Sequence, residues 1–295
     1  MLARPDLPDF EYVRASDRDQ VVRLLSEHKG AARLLMGGTD LLVRMRDGAI
    51  HPRVVIDVKH LPGMRTLSYD ERQGLSIGAA VTMNHLARHP LARTHYPLLV
   101  EGANSVASYQ LRNRATIGGN LCNASPCADT APATLILEGQ IVLYGSGGER
   151  TVPAADFFVG PGQAATLETE FMVSLHYPPP PPGCQGRYLK LGRNAKGDLA
   201  LVSVAVLGFP DKTTSSGFRF RIALGSVAPV PLRVPAAEEI LSERAPGEES
   251  FGLAAVQAME AATPIDDLRA SAAYRREMVR NLTMRALQQV WEQLG

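Results

Sequence analysis

The sequence predicts an α+β protein built in two parts, an α/β half followed by an antiparallel sheet with helices. Three observations carry this. Strand-like and helix-like hydrophobic patterns alternate through the first 177 residues; a run of five prolines, "HYPPPPPG" at 176–183, interrupts the chain; beyond it several strand patterns precede a long amphipathic tail. Five consecutive prolines offer no amide donors and stiffen the chain, so the run reads as a connection between folded units. The expected division is 1–177, a connection at 178–183, and 184–295. A weaker seam at Leu61-Pro62-Gly63 splits the first part into subdomains of about 1–60 and 61–177.

In the first subdomain "QVVRLLSEH" places apolar residues at 21, 22, 24 and 25 and reads as a helix. "ARLLMGG" reads as a short buried strand, "DLLVRMRDG" as a helix stopped by Gly48, and "RVVIDV" as another strand. In the second, "GLSIGAA" is strand-like and "VTMNHLARHP" is a helix ended by Pro90. "PLLVEGANSVAS" continues as helix, "APATLILEGQIVLYG" adds a helix and a strand, and "FMVSLHY" leads into the prolines. Past them, "RYLKLG", "ALVSVAVLGFP", "FRFRIALGSVAP" and "LRVP" read as strands of an antiparallel sheet. The tail carries apolar residues at 274, 278, 282, 286, 290 and 294, which is helical spacing. That pattern assigns Arg275, Arg276, Glu277 and Arg280 to the opposite, solvent-facing side.

Composition removes several function classes. Lys+Arg 31 against Asp+Glu 30 leaves a net charge of +1, so no global field recruits nucleic acid or an anionic membrane. No stretch approaches the roughly 18 consecutive apolar residues of a membrane span. "MLARPDLPDFEYV" has neither the basic start nor the apolar run of a secretion signal. Three cysteines make no disulfide framework, and a cytoplasmic location is expected.

The chemistry concentrates in two glycine pairs. "LLMGGTDLL" is strand, Gly37-Gly38, Thr39-Asp40, helix. Glycines bring a ligand close to the main chain, and a helix start offers unpaired N–H groups, a geometry that suits a pyrophosphate. A tight turn with no ligand is the other reading of the same residues. Asp40 reads as an N-cap turned back onto the helix amides, with the Thr39 hydroxyl beside it. The second pair, "TIGGN" at 116–120, follows an expected strand, and Thr116 and Asn120 flank Gly118-Gly119. Asp129, nine residues past Asn120, is either an acceptor for a hydroxyl-rich ligand or a helix N-cap, and the two roles are compatible.

Two patterns mislead. "GPGQAA" at 160–165 fits a loose dinucleotide motif, but a strand and not a helix follows it, so it is read as a turn. His85 and His89 have the spacing of a zinc pair without the accompanying glutamate, and are read as ordinary helix residues.

Taken together, "MGGTDLLVRMRDG", "RVVIDV", "LSIGAAVTMNHL", "QLRNRATIGGNLCNASPCADTAPATLIL", "YLKLGRNAKGDLALVSVAV" and "ASAAYRREMVRNLTMRAL" resemble, in that order, the FAD-binding medium subunit of the molybdenum hydroxylases, the xanthine dehydrogenase and carbon monoxide dehydrogenase family. The resemblance covers nearly the whole chain. It implies a two-subdomain α/β FAD-binding domain of the vanillyl-alcohol oxidase type and a C-terminal domain with an antiparallel sheet and helices. It maps the first diphosphate-wrapping motif onto Leu35, Met36, Gly37, Gly38, Thr39, Asp40 and Leu41, and the second onto Thr116, Ile117, Gly118, Gly119 and Asn120. The family's flavin-contacting acid falls on Asp129 and a lysine near the flavin on Lys190; Val106 would touch the adenine and Met172 would line the pocket. Tyr188, on the strand of Lys190, either packs near the ring or belongs to the core.

Cys122 and Cys127 raise the question of metal. One branch resembling 4-hydroxybenzoyl-CoA reductase inserts a loop near here carrying a [4Fe-4S] cluster, which needs four thiolates; this chain has three cysteines and lacks the insertion. They are read as small residues in a tight turn beside the flavin, and no metal ligand is assigned.

The resemblance implies an FAD-carrying electron-transfer subunit of an oxidoreductase. Partner subunits would hold a molybdopterin cofactor and two [2Fe-2S] clusters, in a dimer of heterotrimers with one small iron-sulfur subunit and one large molybdopterin subunit. Iron-sulfur centres pass electrons singly and many acceptors take pairs, so a flavin between them would deliver to an external acceptor such as NAD+ or a quinone. A stand-alone FAD-dependent oxidase acting on its own small molecule is the alternative, although the C-terminal part shows no convergent acid/base set. A binding or scaffold protein with an empty pocket is a third.

Overall fold

The computed structural model describes residues 6–194 and 197–295. The first five residues of the N-terminal stretch and Ala195-Lys196 within "LGRNAKGDLA" lie outside the described residues.

A three-stranded parallel sheet opens the chain, with Val54–Asp57 in the centre, Glu11–Arg14 on one side and Ala32–Leu35 on the other. All four residues of the central strand are buried, as expected of a strand covered on both faces. The helix Arg18–His28 crosses this sheet and buries Val21 and Leu25; Asp17 caps it by accepting from the Gln20 amide. The helix Leu41–Arg46 follows the first glycine pair and ends before Gly48, whose φ of 71° is left-handed.

A five-stranded antiparallel sheet follows, in the order Leu67–Asp70, Gly74–Gly78, Phe171–Tyr177, Gln140–Gly145, Gly148–Pro153. The helices Met83–Arg88, Pro97–Ser105, Ile117–Cys122 and Ala131–Ile136 lie in the chain between its second and fourth strands in that order, and the short helix Ala154–Phe157 follows the strand Gly148–Pro153. "GPGQAA" is the turn of a small hairpin, Phe158–Gly160 with Gln163–Ala164. After the prolines a four-stranded antiparallel sheet runs Gln185–Leu191, Val202–Pro210, Phe218–Gly225, Leu232–Arg233.

This last sheet is buried on both faces, which explains the uninterrupted apolar run "VSVAVLGF". Val202, Val204 and Val206 point into a core shared with the C-terminal helices. Ala205, Leu207 and Phe209 point the other way, into the core of the N-terminal half. The period-2 alternation of a strand thereby places Tyr188 against the N-terminal half while Leu189 and Leu191 pack on the helices. Among the described residues no helix is long and apolar enough to cross a membrane.

Two expectations about elements are corrected. The segment before Thr116 is not a strand: Tyr109–Arg112 is a helix, and only an isolated bridge joins Thr116 to Thr82. The tail is a helix, Ala272–Leu294, and Met278, Leu282, Ala286, Val290 and Leu294 pack on the core as the spacing predicts, but Tyr274 is exposed and the buried side also takes in Arg275, Val279, Thr283 and Leu287. Arg275, 2% exposed, joins the buried side with Asp267 2.6 Å from its Nη2 and the Ser226 carbonyl as partners. A paired and hydrogen-bonded arginine tolerates burial that an unpaired one would not.

Candidate functional site

The glycine pairs meet. A Cβ on Gly37 would sit 2.4 Å from the Arg114 carbonyl oxygen and 3.1 Å from the Ala115 Cα, so the first loop packs directly on the main chain that precedes the second. Gly38 has φ 76°, a conformation that favours glycine. The loop that results is rich in donors: among the described residues, the amides of Gly37, Gly38, Thr39, Asp40 and Leu41 have no protein acceptor, and the Leu42 amide is the next to be engaged, by the Gly38 carbonyl at 3.1 Å. Consecutive unpaired amides at a strand-to-helix turn form an anion-binding concavity.

The second pair is built differently. The Ile117 amide donates to Val81 O, Gly118 to Ala79 O, Gly119 to Thr116 Oγ1 and Asn120 to Thr116 O. All four are consumed inside the protein, and Gly118 is small because a Cβ there would lie 2.6 Å from the Ala79 Cβ. The two turns are therefore not equivalent: the first offers main-chain amides, the second side chains. Asn120 holds its carbonyl oxygen toward the Thr130 hydroxyl at 2.6 Å. Thr116 is the N-cap of Ile117–Cys122, accepting from the Gly119 amide at 3.1 Å. Thr116→Ala is expected to cost about 1 kcal/mol in urea unfolding, with Thr116→Ser close to wild type.

Between these loops lies a cavity of about 660 Å³. Of the residues singled out in the sequence, Met36, Gly37, Gly38, Thr39, Asp40, Leu41, Val106, Thr116, Gly119, Asn120, Asp129 and Met172 all line it. Leu35, Ile117, Gly118 and Lys190 do not. Leu35 ends its strand beneath Gly38, Ile117 is in the core, and Lys190 stands behind Asp129. Cys122 and Cys127 also line the wall, and burial pushes the Cys122 thiol up to about 12, so it stays protonated at neutral pH.

Asp40 does not cap its helix. It sits in a helical conformation with no side-chain bond to the helix amides; instead Oδ2 accepts from Thr39 Oγ1 at 3.3 Å and Oδ1 takes a long contact from Asn123 Nδ2 at 3.4 Å. The Leu42 amide that a cap at Asp40 would reach is taken by the Gly38 carbonyl instead. Asp129 is no cap either, since Thr130 holds that position without a side-chain bond. Its carboxylate, in a residue 6% exposed, accepts from Tyr188 Oη and from Lys190 Nζ, each at 2.8 Å. Lys190 Nζ also donates to the Ser105 carbonyl at 2.9 Å. Burial pushes the Asp129 carboxyl above its ordinary range even though Lys190 and Tyr188 pull it down. Burial and the neighbouring Asp129 charge push the Tyr188 phenol well above its own.

The sequence reading missed part of the wall. Lys29, Arg33 and Arg44 bring positive charge to the first lobe's side, and Leu167 and Leu199 form an apolar rim. The basic residues of "HKGAAR", Lys29 next to a glycine and Arg33 within the motif strand, were a usable signal; Leu167 and Leu199 come from loops without any motif.

Cleared main chain, open amides and cationic side chains on one lobe, facing a paired buried carboxylate on the other, suit a ligand with an anionic middle and polar ends. Fold and cavity together define a flavoprotein of the FAD-binding type. The model of the FAD binding domain in molybdopterin dehydrogenase matches residues 8–180, and that of the CO dehydrogenase flavoprotein C-terminal domain matches 187–290. The chain belongs to the FAD-binding medium subunits of the molybdenum hydroxylases, and is an oxidoreductase subunit. It is 35% identical over 284 residues to the carbon monoxide dehydrogenase medium chain of Hydrogenophaga pseudoflava, covering 96% of this chain and 98% of that one. It is 30% identical to the xanthine dehydrogenase FAD-binding subunit of Escherichia coli O157:H7, covering 95% of each. Carbon monoxide dehydrogenase from Hydrogenophaga pseudoflava, solved without the Mo-pyranopterin moiety of its molybdenum cofactor, superposes with a TM-score of 0.93 at 34% identity, over 98% of this chain and 100% of that one.

Proposed function

We propose that this chain is the FAD-carrying electron-transfer subunit of a molybdenum hydroxylase complex, receiving electrons from the [2Fe-2S] clusters of a small partner subunit and passing them to an external acceptor such as NAD+ or a quinone. The observation that supports this most is the run of five unpaired amides at Gly37–Leu41 opening into the same cavity as Asp129. The bound flavin supplies a carrier that exchanges electrons singly or in pairs.

The chain's own residues bind and orient it. Gly37 through Leu41 hold the diphosphate by main-chain donors, with Leu35 fixing the turn from beneath. Thr116, Gly119 and Asn120 close the other side, shaped by Ile117 and Gly118. Val106 and Met172 supply apolar contact, Asp129 accepts hydrogen bonds, and Lys190 fixes its charge. Residues 1–177 would carry the cofactor and 184–295 the second domain. A large molybdopterin subunit, a dimer of heterotrimers and a cytoplasmic location complete the reading; relatives named as carbon monoxide and xanthine dehydrogenase subunits support the complex.

Expressing the chain with its neighbouring subunits and measuring flavin, molybdenum and iron tests it. The expected result is a yellow complex holding all three, whose flavin bleaches under anaerobic substrate only when the partners are present. A yellow chain that turns over a small molecule without partners would instead establish a stand-alone oxidase. A colourless chain would remove the cofactor reading altogether.

A further inference from the structure

Asp129 is a buried carboxylate on the cavity wall, and the wall does not hold it alone. Its two oxygens are divided between two residues of one strand, Tyr188 on Oδ1 and Lys190 on Oδ2. Tyr188 and Lys190 share a face because they are two residues apart. That strand is itself anchored: Glu101 of Pro97–Ser105 accepts from the Tyr188 amide at 2.7 Å and pairs with Arg187. Tyr188 is 6% exposed and does not line the cavity, so whatever it does to a bound group it does through Asp129.

We propose that Tyr188 is a positioning residue whose hydroxyl fixes the orientation and charge of Asp129 at the wall, and so sets how the bound flavin's reduction potential varies with pH. This rests on the FAD reading of the cavity. Among the described residues, the groups that bear on Asp129 directly are Tyr188 and Lys190 from the strand; the Ser105 carbonyl, at the end of the helix, accepts from Lys190, and Cys127 bears on Tyr188. Beyond Cys127 lies Arg269, whose Nη1 is 4.0 Å from the sulfur and whose charge is met by Asp267.

The sign follows from the partners. With Asp129 ionised, Lys190 is neutralised; with Asp129 protonated, the wall carries the lysine charge alone, which favours the electron-rich state of the flavin and raises its potential. The Tyr188 hydrogen bond favours the ionised form. Removing it lets Asp129 take up its proton at higher pH.

The test is a double-mutant cycle on the full chain reconstituted with FAD, reading midpoint potential against pH for wild type, Tyr188→Phe, Asp129→Asn and the double variant. Phenylalanine keeps the ring in the core, and the melting temperature reports any packing change. The expected result is an inflection that moves to higher pH in Tyr188→Phe, disappears in Asp129→Asn, and is not altered further by adding Tyr188→Phe. A purely structural tyrosine would shift stability and leave the curve in place, which overturns the proposal. So does an equal displacement in both backgrounds, or a wild-type curve that Asp129→Asn does not change. If the wild-type chain binds no FAD, the cavity reading itself falls first and takes this inference with it.

Discussion

Gly37→Ala is expected to strip the chain of its cofactor while leaving most of its secondary structure. The added methyl would stand 2.4 Å from a carbonyl oxygen and 3.0 Å from its carbon, both of Arg114. Those are main-chain atoms, which cannot swing aside as a side-chain tip would. Relief requires the first loop to back away from the second, and this opens the wall of the cavity on which both lobes converge. Overpacking of this kind costs about 1–3 kcal/mol. If that strain is released by separating the lobes, it appears as roughly a 10- to 100-fold rise in the FAD dissociation constant. Gly48→Ala is the control: its φ of 71° also strains an added methyl, but among the described residues nothing lies within 4 Å of the new atom and Gly48 itself does not line the cavity. It should lose stability and keep the flavin. Flavin absorbance per chain after gel filtration, with circular dichroism alongside, separates the two. A Gly37→Ala protein as yellow as wild type would mean that the contact between the glycine loops is not what shapes the site.

That contact also marks where sequence reading stopped. Paired glycines announce that something approaches the main chain, and at Gly37 and Gly118 other main chain does. They do not say what approaches. At Gly118 it is Ala79, and at Gly37 it is Arg114, both protein atoms distant in the chain. Strand and helix periodicity was local and therefore readable: "VVID", three apolar residues and an aspartate, does form a fully buried strand, and the tail is a helix. The burial of Arg275 on that helix was not readable, because its partner Asp267 lies outside the helix and no apolar pattern marks it. The Asp40 cap failed for a related reason: local propensity favours aspartate there, but Thr39 and Asn123 take the side chain instead. The pairing of Asp129 with Tyr188 and Lys190 joins residues about sixty positions apart across two halves of the molecule. No spacing rule reaches that far; only the resemblance brought Asp129 and Lys190 forward together, and it left Tyr188 undecided.

Lys190→Met should be the most destabilising single change in this cluster, and its cost should depend on pH in a direction the structure fixes. Methionine preserves the stem but removes the ammonium 2.8 Å from Asp129 Oδ2, leaving a buried carboxylate with, among the described residues, only the Tyr188 hydroxyl as partner. Breaking a buried pair from one side costs about 3–5 kcal/mol. Burial already raises the Asp129 carboxyl in the folded protein, so its contribution to stability is fully present below the ordinary carboxylate range and is lost as pH rises through the raised value. Without Lys190 one downward pull is gone and that value rises further. The stability gap between wild type and variant is therefore smallest in acid, where the carboxyl is neutral in both, and widens toward neutrality as only the wild type retains a cation for it. Adding Asp129→Asn to Lys190→Met removes the stranded charge and should recover much of the loss at neutral pH. Urea unfolding of the three proteins across the acid-to-neutral range measures this. A penalty that does not change with pH, or one that Asp129→Asn fails to relieve, would show that Lys190 matters through its bond to the Ser105 carbonyl and not through Asp129.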